Sequence, residues 1–211
     1  MTTSRIIVIL VVLLGAVILI YSMSTGFVDR GYNEQILKER MEKDEFMKND
    51  KGSPFADSAD TFTSLKYFAP DPAYRIVADL VPVEEKKVVV LPTNDNKQQT
   101  YVEYARASFR LNNIDCELLI LEVMENGPFR GTLFLAFADQ TSAFETYGAG
   151  RYLDVEKVPG ANTITLDFNK AYNPYCAYTD SFSCPLPPRE NILSVPIRAG
   201  EMTYDKADRP N

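Results

Sequence analysis

The chain begins with an apolar stretch that carries no charge. From residue 6 to residue 23 the sequence IIVILVVLLGAVILIYSM contains no charged side chain. As a helix this stretch would be about 27 Å long, close to the hydrocarbon thickness of a bilayer. It predicts a single transmembrane helix, with Arg5 on the cytoplasmic side and the rest of the chain outside the cytoplasm. A cleaved signal peptide is the alternative, although the sequence that follows offers only a poor cleavage site.

A charged helix is predicted next, over residues 32–50. This segment lacks Gly and Pro, and its acidic residues precede basic ones at i,i+4 spacing in the pairs Glu34 and Lys38, Glu39 and Lys43, and Asp44 and Lys48. Its apolar residues cluster only loosely on one side, so we expect a solvated connecting helix rather than one packed on the domain. Gly52 and Pro54 break the helix, and we place the domain boundary there.

After Pro70 the helical period gives way to short β-rich runs separated by turn residues. The predicted strands cover residues 74–83, 87–91, 100–111, 114–124, 131–137, 150–155, 163–168 and 192–197. Asn112 and Asn113 tolerate positive φ, so the two runs beside them are predicted to form a two-residue hairpin. About eight strands at this spacing are typical of a single antiparallel β-barrel or β-sandwich. The last ten residues, MTYDKADRPN, are expected to be a polar tail.

These patterns divide the chain into consecutive segments. The expected order is a short cytoplasmic N-terminus at residues 1–5, a transmembrane helix at 6–23, a juxtamembrane helix and linker at 24–52, and an extracytoplasmic, mainly β domain at 53–211. The protein is therefore expected in the cell membrane as a single-pass protein, with its C-terminal domain in the periplasm or outside the cell.

Composition removes several classes of function. The chain has no His, which removes the usual general base and the commonest zinc ligand, so Ser-His-Asp and Cys-His catalysis are excluded. The formal net charge is -7 and no cluster of Lys and Arg is present, which argues against nucleic acid as a partner. We expect no cofactor and no metal, and the balance favours a protein that is not an enzyme.

Two blocks near the C-terminus resemble a known family. The first is ETYGAGRYLDVE at residues 145–156, and the second is LDFNKAYNPYCAYTDSFSCPLPPREN at residues 166–191. Both are similar to the bacterial and archaeal proteins of domain of unknown function family 1684, through YGxGRYLD, N-x-A-Y-N-P-x-C-A-Y and C-P-L-P-P-x-E-N. The segment LKYFAPDPAYR at residues 65–75 is similar too. The resemblance implies a shared fold, and it implies no activity, substrate or cofactor.

Polar and aromatic residues in the two blocks form a candidate ligand site. The set is Arg151, Tyr152, Asp154, Asp167, Asn169, Tyr172, Asn173 and Tyr178. Arg presents a fixed fork of donors and Tyr an amphipathic wall, so a carboxylate, phosphate or sugar is the predicted ligand. We expect Arg151 and Asp167 in one polar cluster. The alternative is structural, with Arg151 paired to Asp154 or Asp167 to tie a proline-rich loop to the sheet.

Cys176 and Cys184 are candidates for a disulfide bond. Outside the cytoplasm, cysteines at this spacing close a loop of nine residues, and such a bridge contributes about 2.6 kcal/mol on the chain-entropy model. Buried free thiols, or a metal or redox site, are the alternatives. Cys116 lies among apolar residues and is expected to pack in the core.

Two functions compete at this point. The anchor, the β domain and the missing His favour a membrane-tethered, non-enzymatic binding or assembly module of the cell envelope, with an envelope protein as its partner. The alternative is a protein that binds a small anionic ligand, or a His-independent enzyme, using an Arg, Tyr and carboxylate cleft. An open cleft lined by the candidate residues favours the alternative, whereas a filled interior favours the first function.

Overall fold

One long helix precedes the β-rich part of the chain. The computed structural model of the protein describes residues 3–57, 62–125 and 127–204, and it describes only the backbone of residues 3–12 and 16–28. Helix α1 runs from Thr3 to Asn49, so the two helices predicted from the sequence are continuous. The predicted transmembrane segment lies in the first half of α1, and most of its side chains fall outside the described residues. No helix in the described part of the chain is both long and apolar enough to cross a membrane.

The second half of α1 packs against the β-rich domain. Ile36 and Met47 are buried, whereas Leu37 and Met41 are exposed. Arg40, on the same side of the helix as the buried pair, donates hydrogen bonds to the carbonyl oxygens of Phe68 and Asn169 at 2.8 and 3.2 Å. Side chains at this spacing share one helix face, which here lies on the domain. The expectation of a solvated connecting helix is therefore wrong.

Two charged residues of this helix, Glu39 and Lys43, pair with the domain rather than with each other. Lys43 Nζ lies 2.7 Å from Glu201 Oε1. Glu39 Oε2 lies 2.8 Å from Lys170 Nζ. The predicted pair of Glu39 with Lys43 is thus replaced by two contacts that hold α1 on the domain, because the domain offers opposite charges beside both residues.

The domain is mainly β, with antiparallel strands. The strands are β1 (Arg75–Pro82), β2 (Val88–Pro92), β3 (Gln98–Leu111), β4 (Ile114–Val123), β5 (Leu133–Phe134), β6 (Ala136–Phe137), β7 (Arg151–Tyr152) and β8 (Thr163–Asp167). A six-stranded sheet has the order β5-β4-β3-β1-β8 with β2 also on β3, and β6 pairs with β7 in a two-stranded sheet. The larger sheet is open, with the short strands β5 and β8 as its edges. The barrel alternative is wrong, because no pairing among the described residues joins those edges.

The predicted hairpin is present between β3 and β4. Asn112 and Asn113 have φ values of 51° and 63°, and Leu111 pairs with Ile114 across the turn. Positive φ at both turn positions matches the twist of the flanking strands. The register shifts between Glu103 and Ala105, which marks a bulge in β3. The hairpin prediction is confirmed.

The strand predicted over residues 192–197 is wrong. Leu193, Val195 and Ile197 are buried, as the apolar alternation suggests, yet the segment forms only an isolated bridge at Ile192. Leu193 N–H donates to the Ala138 carbonyl and Gln140 N–H to the Val195 carbonyl, while Ile197 N–H donates to Asp139 Oδ1 at 3.1 Å. The segment is therefore an extended part of the core without a regular ladder, because backbone groups of residues 138–140 and the Asp139 side chain share its hydrogen bonds.

The residues after this segment are not a polar tail as far as the structure describes them. Met202 N–H donates to the Lys66 carbonyl at 2.8 Å. Tyr204 is buried among Phe55, Phe62 and Tyr178. The C-terminal stretch up to Tyr204 therefore belongs to the core, and residues 205–211 of the expected tail lie outside the described chain.

Both faces of the large sheet are covered near the end of β4. Leu118 and Ile120 face the main core, while Leu119 and Leu121 join Tyr101 and Leu91 in a second cluster on the opposite face. Successive side chains on a strand point to opposite faces, so the continuous apolar run LLIL in β4 reflects cover on both sides. Tyr101 and Phe134 of this second cluster also line a groove at the surface.

Candidate functional site

An open groove lined by aromatic rings lies beside β5 and β7. We call it the aromatic groove; its rings belong to Tyr101, Phe129, Phe134, Tyr152, Tyr172, Tyr175 and Phe182. Its volume is about 710 Å³. Sites for small organic molecules typically have volumes of about 300 to 1,000 Å³ and mostly apolar walls with a few polar groups. The groove has the size and lining of such a site.

Most of the rings form a continuous row along the groove. Tyr101 stacks on Phe134 with 4.8 Å between ring centroids, and Phe134 meets Tyr152 edge to face at 5.0 Å. Tyr152 and Tyr172 follow at 6.0 Å, and their backbones exchange hydrogen bonds of 2.8 and 3.0 Å. Because these rings come from β3, β5, β7 and the segment after β8, the row exists only once the chain has folded.

The tyrosines of the row are held in place by their hydroxyl groups. Tyr152 donates to the Pro185 carbonyl at 2.7 Å, and Tyr172 donates to Asp154 Oδ1 at 2.7 Å. Burial raises the pKa of Tyr152 well above its usual value, and burial together with the Asp154 carboxylate does the same for Tyr172. Both rings are therefore fixed, neutral walls at physiological pH.

The opposite wall is a loop between Tyr175 and Pro185. The rings of Tyr175 and Phe182 meet edge to face at 5.0 Å. Asn94, in the turn between β2 and β3, accepts a hydrogen bond from Cys184 N–H at 2.7 Å and donates to the Phe182 carbonyl at 3.1 Å. The turn thus positions this wall relative to the sheet.

The charged residues among the described lining of the groove are both acidic. They are Glu125 and Asp154, and both are exposed. Asp154 uses one carboxylate oxygen to accept the Tyr172 hydroxyl. The groove therefore combines apolar ring faces with acidic groups at its open side. This arrangement favours cations and neutral hydrogen-bond donors and repels anions.

A second, more polar cavity of about 460 Å³ adjoins the groove beneath α1. The two share Asp154, Tyr172 and Tyr175 in their linings. Lys43 Nζ lies 4.4 Å from the centre of the Tyr172 ring and is paired with Glu201, whose side chain is 1% exposed. Lys43 with Glu201 and Lys170 with Glu39 form ion pairs between α1 and the domain, so these charges of the cavity dock the helix.

Arg151 lies beneath the site and not in it. Its side chain is 1% exposed, and its Nη2 donates to Asp139 Oδ2 at 2.9 Å and to the Ile197 carbonyl at 2.8 Å. Its Nη1 donates to the carbonyl oxygens of Ala199 and Glu201. The predicted pairing with Asp167 or Asp154 is wrong, because Asp139 and the backbone carbonyls of residues 197, 199 and 201 bind the guanidinium instead.

Gly150 explains how Arg151 reaches this position. Gly150 has a φ of +90°, and an added Cβ would lie 2.6 Å from the Phe137 carbonyl and from Pro187 Cγ. Only glycine allows the backbone to pass so close to β6 in this conformation. The glycine directly before Arg151 is therefore required by the path of the backbone.

Asp167 and Asn169 join α1 to the domain. Asp167 Oδ1 accepts the Tyr32 hydroxyl at 2.7 Å and the Asn169 backbone N–H at 3.2 Å. Asn169 exchanges hydrogen bonds with the backbone of Asp71, at 2.8 and 2.9 Å. The structure does not bring this pair to the aromatic groove.

Asn173 and Tyr178 are buried around Glu201. The Asn173 backbone N–H donates to Glu201 Oε2 at 2.9 Å, and its side chain donates to the Met202 carbonyl at 2.8 Å. The Tyr178 hydroxyl donates to the same carboxylate oxygen. Of the predicted ligand residues, the structure therefore brings Tyr152, Asp154 and Tyr172 to the groove.

The two cysteines of the second block are neighbours. Cys176 and Cys184 are both buried, and the Cys176 N–H donates to Cys184 Sγ at 3.3 Å. The disulfide stays a prediction. Cys116 is a buried thiol in the main core, as expected. Within the described residues no group of His, Cys, Asp and Glu could hold a metal ion.

Several residues that line or support the site were not predicted from the sequence. Tyr101 and Phe134 lie in strands that the sequence assigned to the fold, and Asp139 and Glu201 lie in segments with no recognisable motif. The run of apolar residues on both faces of β4 was the available signal, because it indicates that the outer face near Tyr101 is covered as well.

The chain is similar to proteins of a known family. A family model described as a protein of unknown function (DUF1684) matches residues 60–202. An uncharacterised protein of Haloarcula marismortui, solved in solution by NMR, is 37% identical; the match covers 82% of this chain and 95% of that chain with a TM-score of 0.62. No curated protein matches the chain.

Proposed function

We propose that this chain, which belongs to the DUF1684 family, binds a small organic ligand in the aromatic groove and is not an enzyme at that site. The observation that supports the proposal is the groove itself, a row of fixed rings at the surface with a volume of about 710 Å³. Folding alone favours the burial of apolar surface, so an open apolar groove of this size is typical of a binding site.

The ligand has an apolar ring or flat face and a neutral or cationic polar group. The ring faces of the groove suit stacking, which contributes about 0.5 to 1.5 kcal/mol for each aromatic contact. Asp154 and Glu125 at the open side favour an amine or a hydroxyl over a carboxylate or phosphate. We therefore favour such a ligand over the anionic one expected from the sequence.

Catalysis has less support than binding. The hydroxyl groups of Tyr152 and Tyr172 donate to fixed acceptors within the protein. Burial holds their pKa values above the usual range, so neither acts as a base near neutral pH. These groups shape the walls and do not exchange protons with a ligand.

Dye binding tests the proposal. We expect auramine O, a cationic two-ring dye, to bind the full chain more tightly than the anionic dye 1-anilinonaphthalene-8-sulfonate. Phe182→Ala removes a ring of the groove wall and should weaken auramine O about 2- to 12-fold, the range of one aromatic contact. Asp154→Asn should weaken the cationic dye and not the anionic one.

Phe144→Ala is the matched control, because Phe144 is 86% exposed and lies outside the groove lining. It should leave the affinity for auramine O unchanged. Equal losses in Phe182→Ala and Phe144→Ala, or tighter binding of the anionic dye, would contradict the proposed site.

We also propose that residues 6–23 tether the domain to a membrane, with the β-rich domain outside the cytoplasm. The support is the uncharged run at these positions and the preceding Arg5. The protein should stay with membranes during salt and alkaline extraction, and a C-terminal phosphatase reporter should be active only outside the cytoplasm. Release of the full chain at high pH, or activity of a cytoplasmic reporter at the C-terminus, would reject the tether.

A further inference from the structure

Cys176 and Cys184 bracket the loop that forms one wall of the aromatic groove. Both thiols are buried, and they are in contact through the hydrogen bond from Cys176 N–H to Cys184 Sγ. Residues 177–183 lie between them and include Phe182, whose ring lines the groove. We call residues 176–184 the thiol loop.

The thiol loop is held at both ends and is exposed in its middle. Near Cys176, the buried Tyr178 donates its hydroxyl to Glu201 Oε2. Near Cys184, Asn94 accepts from the backbone N–H of Cys184, and Ser183 Oγ donates to Asp95 Oδ1 at 2.7 Å. Residues 180 and 181, between these ends, are exposed. The thiol pair therefore joins the two anchored ends of the loop.

A small reagent can approach one of the thiols from the groove. Cys184 belongs to the lining of the groove together with Phe182 and Pro185. Cys116 lies against the main core on the other face of the sheet and lines a separate cavity; its Sγ is 3.7 Å from the Ile114 carbonyl. The chain thus contains a thiol pair beside the groove and a separate thiol that serves as an internal control.

We infer that Cys176 and Cys184 form a reversible disulfide by exchange with an external small-molecule disulfide, and that the bond fixes the groove wall. In the exchange, one sulfur–sulfur bond forms between the two cysteines and the bond of the external disulfide breaks. Both cysteine protons pass to the two departing sulfur atoms, so the cysteines are oxidised and the external disulfide is reduced to two thiols.

Contact with Cys176 and burial raise the pKa of the Cys184 thiol. Since the thiolate is the attacking species, exchange should be slow at neutral pH and faster in alkaline solution. The loop closed by the bond is short, and a bond in a short loop still raises stability by restricting the unfolded chain. The melting temperature of the oxidised chain should exceed that of the reduced chain by about 5 °C or more.

The bond itself is tested by mass spectrometry on the folded full chain. After incubation with oxidised glutathione, we expect the chain to lose the mass of two hydrogen atoms and to yield a peptide that links Cys176 to Cys184. Cys116→Ser should behave in the same way, whereas Cys176→Ser should not lose this mass. A chain that stays fully reduced, or that only accumulates a mixed disulfide with glutathione, overturns the inference.

The effect on binding rests on the function proposed above and is measured separately. With the wall fixed, the oxidised chain should bind auramine O at least about threefold more tightly than the reduced chain, since less ordering is needed on binding. Equal affinities overturn the effect on the wall. A dye that binds neither form overturns the proposed groove function, while the mass measurement alone decides whether the disulfide forms.

Discussion

Removing the Arg151 side chain is the sharpest test of how this domain is held together. The change Arg151→Ala leaves the Asp139 carboxylate, which is 0% exposed, without its cation. It also removes the donors to the carbonyl oxygens of Ile197, Ala199 and Glu201. Asp139 would still accept from Thr141 and Ile197 through its other oxygen, so these bonds would hold it in its buried position.

The size of the loss follows from that burial. Breaking a buried ion pair by removing one partner costs about 3 to 5 kcal/mol, because the remaining charge is not compensated. For a chain of this length, 1 kcal/mol corresponds to about 2 to 4 °C in melting temperature. Arg151→Ala should therefore lower the melting temperature by about 6 to 20 °C.

Urea and thermal unfolding of the full chain measure this effect, with Arg198→Ala as the control. Arg198 pairs with Glu145 at the surface, where the two side chains are 57% and 36% exposed, and such pairs contribute less than about 1 kcal/mol. If the two variants lose similar stability, Arg151 is not the brace that its contacts indicate. A loss of dye affinity in Arg151→Ala without a loss of stability would assign Arg151 to the ligand instead.

Two further predictions concern backbone space and pH. Gly200 and Gly160 both have positive φ, +76° and +75°, but an added Cβ at Gly200 would lie 2.5 Å from a carbonyl oxygen, whereas nothing lies within 4 Å of one at Gly160. In urea unfolding, Gly160→Ala should lower the free energy of unfolding by about 1 to 2 kcal/mol, and Gly200→Ala should lower it by at least about 1 kcal/mol more. Equal losses in the two variants would contradict the close approach at Gly200. Burial is the main cause that raises the pKa of Tyr178 well above its usual value, and the Glu201 carboxylate is the second. The contribution of Tyr178 to stability is therefore complete below about pH 10 and declines as the pH rises further. In Tyr178→Phe the slope of unfolding free energy against pH in this alkaline range should be shallower by about 1.4 kcal/mol per pH unit, and an unchanged slope would show that Tyr178 ionises normally.

The sequence by itself determined the elements whose signals are local. Asn112 and Asn113 predicted the hairpin because the turn needs two residues that accept positive φ, and both have it. In β8, Ile164 and Leu166 are buried while Thr163 and Thr165 are exposed, as the alternation predicted. The two blocks near the C-terminus also identified the family, whose model matches residues 60–202.

Local pattern was a poor guide where neighbours distant in the sequence decide the outcome. The alternation over residues 192–197 correctly indicates burial but not a strand, since a strand also needs a partner for its backbone. The charges of α1 follow the i,i+4 rule in sequence, yet Lys43 contacts Glu201 because the domain places that carboxylate beside it.

The tertiary structure alone decided the site. Arg151 and Tyr152 are adjacent in the sequence and lie on opposite sides of β7, so one is a buried brace and the other a wall of the groove. The groove joins side chains from Tyr101 to Pro185, which meet only when the sheet, the bulged strand and the proline-rich loop are in place. A sequence shows which residues can form such walls, but a cavity is a relation between distant segments, and only the packing of the whole chain sets it.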